Sequence, residues 1–114
     1  MKKNARVKLA PAEEGERRKR LISEVPVALG ARWAVDACDR VMLEGRRIEG
    51  GWPGTLPEAR ARVTRELTLE LEALRLSPPS ESELVAATGV AYERARDEWL
   101  RRGRTRSSGR PGSN

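Results

Sequence analysis

The chain has 114 residues, 23 lysines and arginines against 17 aspartates and glutamates, a formal charge of +6, one cysteine, and no histidine or phenylalanine. That length holds one modest core and excludes a two-domain enzyme. The missing histidines and single cysteine exclude disulfide frameworks, zinc sites with several Cys or His ligands, and histidine acid–base catalysis.

The charge is segregated. Residues 1–20 sum to +5, residues 21–76 to −1 and residues 77–100 to −3, and the last fourteen residues carry five arginines and no acid. This predicts a flexible basic arm over residues 1–11, a single helical domain over 12–102 and a disordered basic tail over 103–114. Basic arms on a neutral body attract phosphate through counterion release, although solubilising tails have the same composition. Arginines outnumber lysines nineteen to four, as a GC-rich coding bias alone would produce. No apolar run approaches the roughly 18 residues of a membrane span, and the basic start leads into Pro11, Glu13 and Glu14 with no signal-peptide apolar region. A soluble cytoplasmic protein is expected, with Cys38 in reducing surroundings.

In chain order, a polar helix is expected over residues 11–24. Its acids Glu13, Glu14 and Glu16 precede Arg17, Arg18, Lys19 and Arg20, in the sense that suits the helix dipole. Only Leu21, Ile22 and Val25 can anchor it. A second helix over residues 27–47 places Leu29, Trp33, Ala34, Ala37, Val41 and Met42 at three- to four-residue intervals, the pattern of a central bundle helix. Cys38 lies inside it and reads as a buried thiol, since no histidine is available to activate a nucleophile.

Gly50, Gly51, Pro53 and Gly54 then break the chain, and Thr55 with Glu58 forms a capping box ahead of a third helix over residues 57–76. Trp52, set among those breakers, has two readings: an exposed anchor for a partner, or an aromatic plug folded back on the core. In the third helix Ala59, Val63, Leu67, Leu71 and Leu74 share a face. Glu66 and Glu70 lie one turn apart on another, too few ligands for a metal site and read as a solvated acidic surface.

Ser77, Pro78 and Pro79 end that helix, and Ser80 with Glu83 repeats the capping box. From there Ser80, Leu84, Gly89, Val90, Ala95 and Trp99 resemble generic bacterial helix-turn-helix domains, including tetracycline-repressor-like ones. The resemblance covers about a fifth of the chain. It departs from the pattern at Val85, at Ala91 and in its acidic balance. It implies a first helix over residues 81–88, a turn at Gly89 and a recognition helix over residues 91–102. Ala91, Tyr92, Glu93, Arg96 and Asp97 would then face the groove, with Arg94 beside the backbone and Arg101, Arg102, Arg104 and Arg106 holding phosphates. Arg96 would read guanine. Gly109, Arg110 and Pro111 resemble the centre of an AT-hook without its flanking basic residues. The alternative is one continuous amphipathic helix, because Leu84, Thr88, Tyr92, Ala95 and Trp99 also fall on a single stripe and Gly89 costs it only about 1 kcal/mol.

The expectation is an all-α bundle of three to four helices that binds DNA as a regulatory or architectural protein. Its competitor is a small helical protein–protein interaction module, an adaptor or regulatory subunit, docking on another chain through its broad apolar second helix and the Trp52 loop, whereas a homodimer is the form expected of the DNA-binding reading. No acid–base, nucleophile or phosphate-loop constellation points to an enzyme, and no cofactor, metal, membrane or small-molecule ligand is implied.

Overall fold

Pro26 does not end the first helix. In the computed structural model, which describes residues 11–108, α1 (Pro11–Leu43) continues through it, so the two helices expected over residues 11–24 and 27–47 are one element. A proline inside a helix removes the hydrogen bond to the carbonyl four residues earlier, at a cost of about 3 kcal/mol. Here the ring is fully buried. Ile22 and Val25 before it and Leu29 and Trp33 after it pack on the same core, so burial along an unbroken apolar face offsets the lost bond. α1 closes at Gly45, whose φ of +76° suits a residue without Cβ. The Gly45 N–H donates to the Met42 carbonyl and the Arg46 N–H to the Val41 carbonyl, satisfying the last turn.

The 44–55 connection buries Ile48 and Trp52 and delivers Thr55 to the start of α2 (Leu56–Ala73). The expected capping box is formed: the Glu58 N–H donates to Thr55 Oγ1 at 3.2 Å and the Thr55 N–H to Glu58 Oε1 at 3.4 Å. Ala59, Val63, Leu67 and Leu71 are the buried face, while Leu74 is exposed. Arg75 takes the left-handed corner after α2, with φ 58°.

α3 (Glu81–Ser108) is one continuous helix. The helix-turn-helix expected over residues 81–102 is therefore corrected: no turn interrupts the chain at Gly89, whose backbone is helical and not left-handed. The physical reason is the stripe of Leu84, Ala87, Thr88, Ala91, Ala95 and Trp99, all buried on one face. Burying that stripe outweighs the roughly 1 kcal/mol a mid-helix glycine costs. α3 also runs past Arg102 to Ser108. Residues 1–10 of the expected basic arm, and residues 109–114 with the AT-hook-like Gly109, Arg110 and Pro111, lie outside the described residues.

The three helices form a small all-α bundle. Arg18 meets Glu83, Gly30 meets Ala91 and Ile48 meets Gly103, so α1 and α3 lie side by side and run in the same direction. They approach closely at Gly30, where a Cβ would stand 2.5 Å from the Ala91 carbonyl oxygen and 2.9 Å from the Arg94 Cβ. Among the described residues no helix is long and apolar enough to cross a membrane.

Arg18 ties α1 to the α2–α3 connection. Its guanidinium donates to both Glu83 carboxylate oxygens at 2.7 and 2.8 Å, to the Ser77 carbonyl at 3.0 Å and to the Pro78 carbonyl at 2.7 Å. Glu83 also accepts from the Ser80 N–H at 2.8 Å, closing the second capping box. The Arg18 hydrogen bond first, and the Ser80 N–H second, pull the Glu83 carboxyl from 4.5 down to about 2.

Gly89→Ala, with nothing within 4 Å of its Cβ, stabilises the protein by about 1 kcal/mol in urea denaturation, whereas Gly30→Ala destabilises it by about 1–3 kcal/mol through overpacking. Destabilisation by Gly89→Ala would instead indicate a left-handed turn there. Because the Glu83 carboxyl is depressed on folding, its contribution is complete above pH 4.5 and fades as pH falls toward 2. Glu83→Gln is therefore less stable than the parent by about 1–2 kcal/mol at pH 7, allowing for solvent screening. Urea titrations should show this gap closing between pH 4.5 and 2.

Candidate interaction surface

With α3 continuous, the residues assigned to a DNA groove separate. Ala91 is fully buried against Gly30, and Tyr92 packs half-buried on the core. Glu93 and Arg96 are exposed and paired to each other at 2.6 Å, with Asp97 4.0 Å from the same guanidinium. A guanine-reading Arg96 would first have to leave two carboxylates.

Three other arginines of the expected DNA face converge on one carboxylate. Glu98 is only 3% exposed. It meets Arg94 at 3.5 Å and accepts hydrogen bonds from Arg102 Nε at 2.6 Å and from Arg101. Burial pushes the Glu98 carboxyl up, but the Arg102 hydrogen bond and the charges of Arg101 and Arg102 outweigh it and hold the carboxyl below its ordinary value. The spacing is legible in the sequence: Glu98 stands four residues after Arg94 and three and four before Arg101 and Arg102, all within reach on a helix.

Trp52 is not an exposed anchor. It is 9% exposed and lies between Trp33 and Trp99, with ring centroids at 5.0 and 5.7 Å and interplanar angles of 82° and 62°. The Gly54 backbone lies against its indole, where a Cβ would stand 2.6 Å from the ring. The core-plug reading of Trp52 is the one realised, because the glycines around it let the connection fold flat onto the bundle.

That arrangement creates a feature sequence reasoning missed. The Trp99 indole N–H donates to the Gly50 carbonyl at 3.0 Å. At Gly103 a Cβ would come 3.2 Å from the Ile48 carbonyl oxygen, so the missing side chain lets the connection approach α3. Between them opens a cleft of about 490 Å³, lined by Ile48, Glu49, Gly50, Trp99, Leu100, Gly103 and Arg104. Its walls are mainly apolar. At the same end of the bundle Leu43 is 88% exposed, Leu56 is 55% exposed and Met42 and Leu100 are also exposed. Gly103 was the available signal, but it falls just past the expected domain boundary.

A second hollow, about 170 Å³, lies between α1 and α2. There Arg62 sits 4.9 Å over the Trp33 ring and Arg32 approaches Glu66 at 3.8 Å. Its opposed charges leave no single ligand chemistry. Among the described residues no group of three or more Cys, Asp or Glu side chains is placed to hold a metal. Comparison with protein-family models, curated proteins and solved structures finds no match to this chain.

Trp99→Phe removes the hydrogen bond to the Gly50 carbonyl, which belongs to an exposed residue and can turn to water, and the lost bond should cost about 0.5–1.5 kcal/mol. Hydrogen exchange of residues 46–54 should accelerate while the α1–α3 seam around Gly30 stays protected. Unchanged exchange in 46–54 would mean that this bond does not hold the connection.

Proposed function

We propose that this chain is a small helical protein-interaction module that contacts another protein at the end of the bundle formed by the α1–α2 connection and the last turns of α3. The observation that carries this reading is the mainly apolar cleft lined by Ile48, Trp99 and the exposed Leu100. Single exposed leucines are ordinary on a small domain, but an exposed leucine on the wall of a concave apolar surface suits a docking site. The other surface of α3 supports the reading from the opposite side. Arg94, Arg96, Arg101 and Arg102 all engage carboxylates of their own helix, which weakens the case for a recognition helix. A cytoplasmic setting accords with the single buried cysteine, Cys38.

DNA binding is the second reading, and what favours it is the run of arginines with no acid after Glu98. A photo-crosslinking residue introduced at Leu100 or Leu43, in the cells the protein comes from, separates the two readings. Discrete protein adducts from both positions, absent when the same label replaces the exposed Ala61, are expected. Nucleic-acid adducts, or identical adducts from all three positions, would overturn the interaction-module reading.

A further inference from the structure

We infer that residues 47–54 form a strap that lifts off the bundle as a unit, carrying Trp52 out of the core while α1, α2 and α3 stay packed. The cleft beside α3 exists only while the strap is down, so the strap decides whether that surface is present. The inference rests on the packing of the connection and stands apart from the interaction-module reading.

Polar groups hold the strap lightly. Among the described residues, no backbone–backbone hydrogen bond outside the helices involves residues 47–54, and the Arg46–Glu44 pair lies within the connection itself. The one hydrogen bond from the strap to a helix, among the described residues, joins the Gly50 carbonyl to the Trp99 indole N–H. What remains is apolar contact, Ile48 against Gly103 and Trp52 between Trp33 and Trp99. Trp52 weakens its own anchorage. Its Nε1 is buried with no partner among the described residues, so the closed state forgoes a hydrogen bond that water supplies once the ring emerges. The ties among the helices are separate. The Gly30 seam and the Arg18–Glu83 and Arg60–Glu81 pairs use no residue of the strap.

Both ends of the strap can turn. α1 stops at Gly45, which has φ +76° and nothing within 4 Å of where its Cβ would be, and Gly54 leads into the Thr55–Glu58 cap. A short segment with two buried anchors, one hydrogen bond and a glycine at each end opens locally, below the free energy of global unfolding. On lifting, Ile48, Glu49 and Gly50 leave one wall of the cleft while Trp99, Leu100, Gly103 and Arg104 stay on α3. The Trp33 and Trp99 rings lose the indole between them and meet solvent. Anything that grips the closed cleft therefore holds the strap down, by its preference for that state.

Native-state hydrogen exchange of the full chain across low urea concentrations reads the opening. The Trp52 and Trp99 indole N–H groups should exchange through one shared opening, with protection roughly tenfold or more below that of the buried Ala34, Ala91 and Ala95 amides. Their urea dependence should also be weaker, because lifting the strap exposes less surface than unfolding the bundle. Indole and helix N–H groups that share one protection and one urea dependence would overturn the inference, since the strap would then leave only when the bundle unfolds.

Gly54→Ala shifts the population toward the open strap, because its Cβ would stand 2.6 Å from the Trp52 indole. Acrylamide quenching of tryptophan fluorescence should rise roughly twofold or more and the Trp99 indole resonance should move, as solvent reaches the freed rings. Far-UV helicity and the protection of Ala91 should be kept. Gly51→Ala, with nothing within 4 Å of its Cβ, should change none of these. Loss of helicity in Gly54→Ala would make the strap an integral part of the core and overturn the inference, and so would quenching equal to that of the parent.

Discussion

The three tryptophans hold this protein together, because each comes from a different segment. Trp33 belongs to α1, Trp52 to the connection and Trp99 to α3, and Trp52 touches both of the others edge-on. A buried indole removes roughly 150–250 Å² from water, worth about 4–6 kcal/mol at ~25 cal/mol per Å². Trp52 buries its Nε1 with no hydrogen-bond partner among the described residues, a penalty of about 1–3 kcal/mol. The burial term is the larger, so the connection folds onto the bundle despite the unpaired N–H. Trp99 escapes that penalty by donating to Gly50, and the same bond sets one wall of the cleft. Core and candidate surface thus share a residue.

The seam between α1 and α3 has a different origin. Gly30, Ala34, Ala91 and Ala95 are all buried, and their small size lets the two backbones approach where a larger residue would separate them. The wide part of the core, filled by tryptophan and leucine, lies where α2 and the connection join. This division explains how a chain with only four aromatic residues closes its core.

Net charge is a poor guide to what the arginines do. Arg18 spends its donors on Glu83 and two backbone carbonyls of the α2–α3 connection. Arg60 forms a two-point pair with Glu81 at 2.7 and 3.0 Å, linking α2 to the first turn of α3. Exposed pairs of that kind add little to stability, because water and salt screen them. Arg18 differs in having both its carboxylate and its carbonyl partners fixed by the α3 cap. By sequence, the basic surplus that remains lies toward the chain ends.

The sequence by itself determined the all-α class, both capping boxes, the buried face of α2 apart from the exposed Leu74, and the existence of breaks around 50–54 and 77–80, but left α3 divided between a turn at Gly89 and one continuous stripe. These depend on interactions within a few residues, such as Thr55 with Glu58 or Ser80 with Glu83, and on periodicity along one helix. What only the tertiary structure decided was whether a local breaker breaks. Pro26 and Gly89 each cost their helix a few kcal/mol at most, and packing of α1 on α3 supplies more than that, so both helices run through. The same holds for Trp52 and for the cleft. Residues in separate segments, Ile48 and Gly103 or Gly50 and Trp99, meet only once the helices have packed, and no spacing along the chain encodes that meeting.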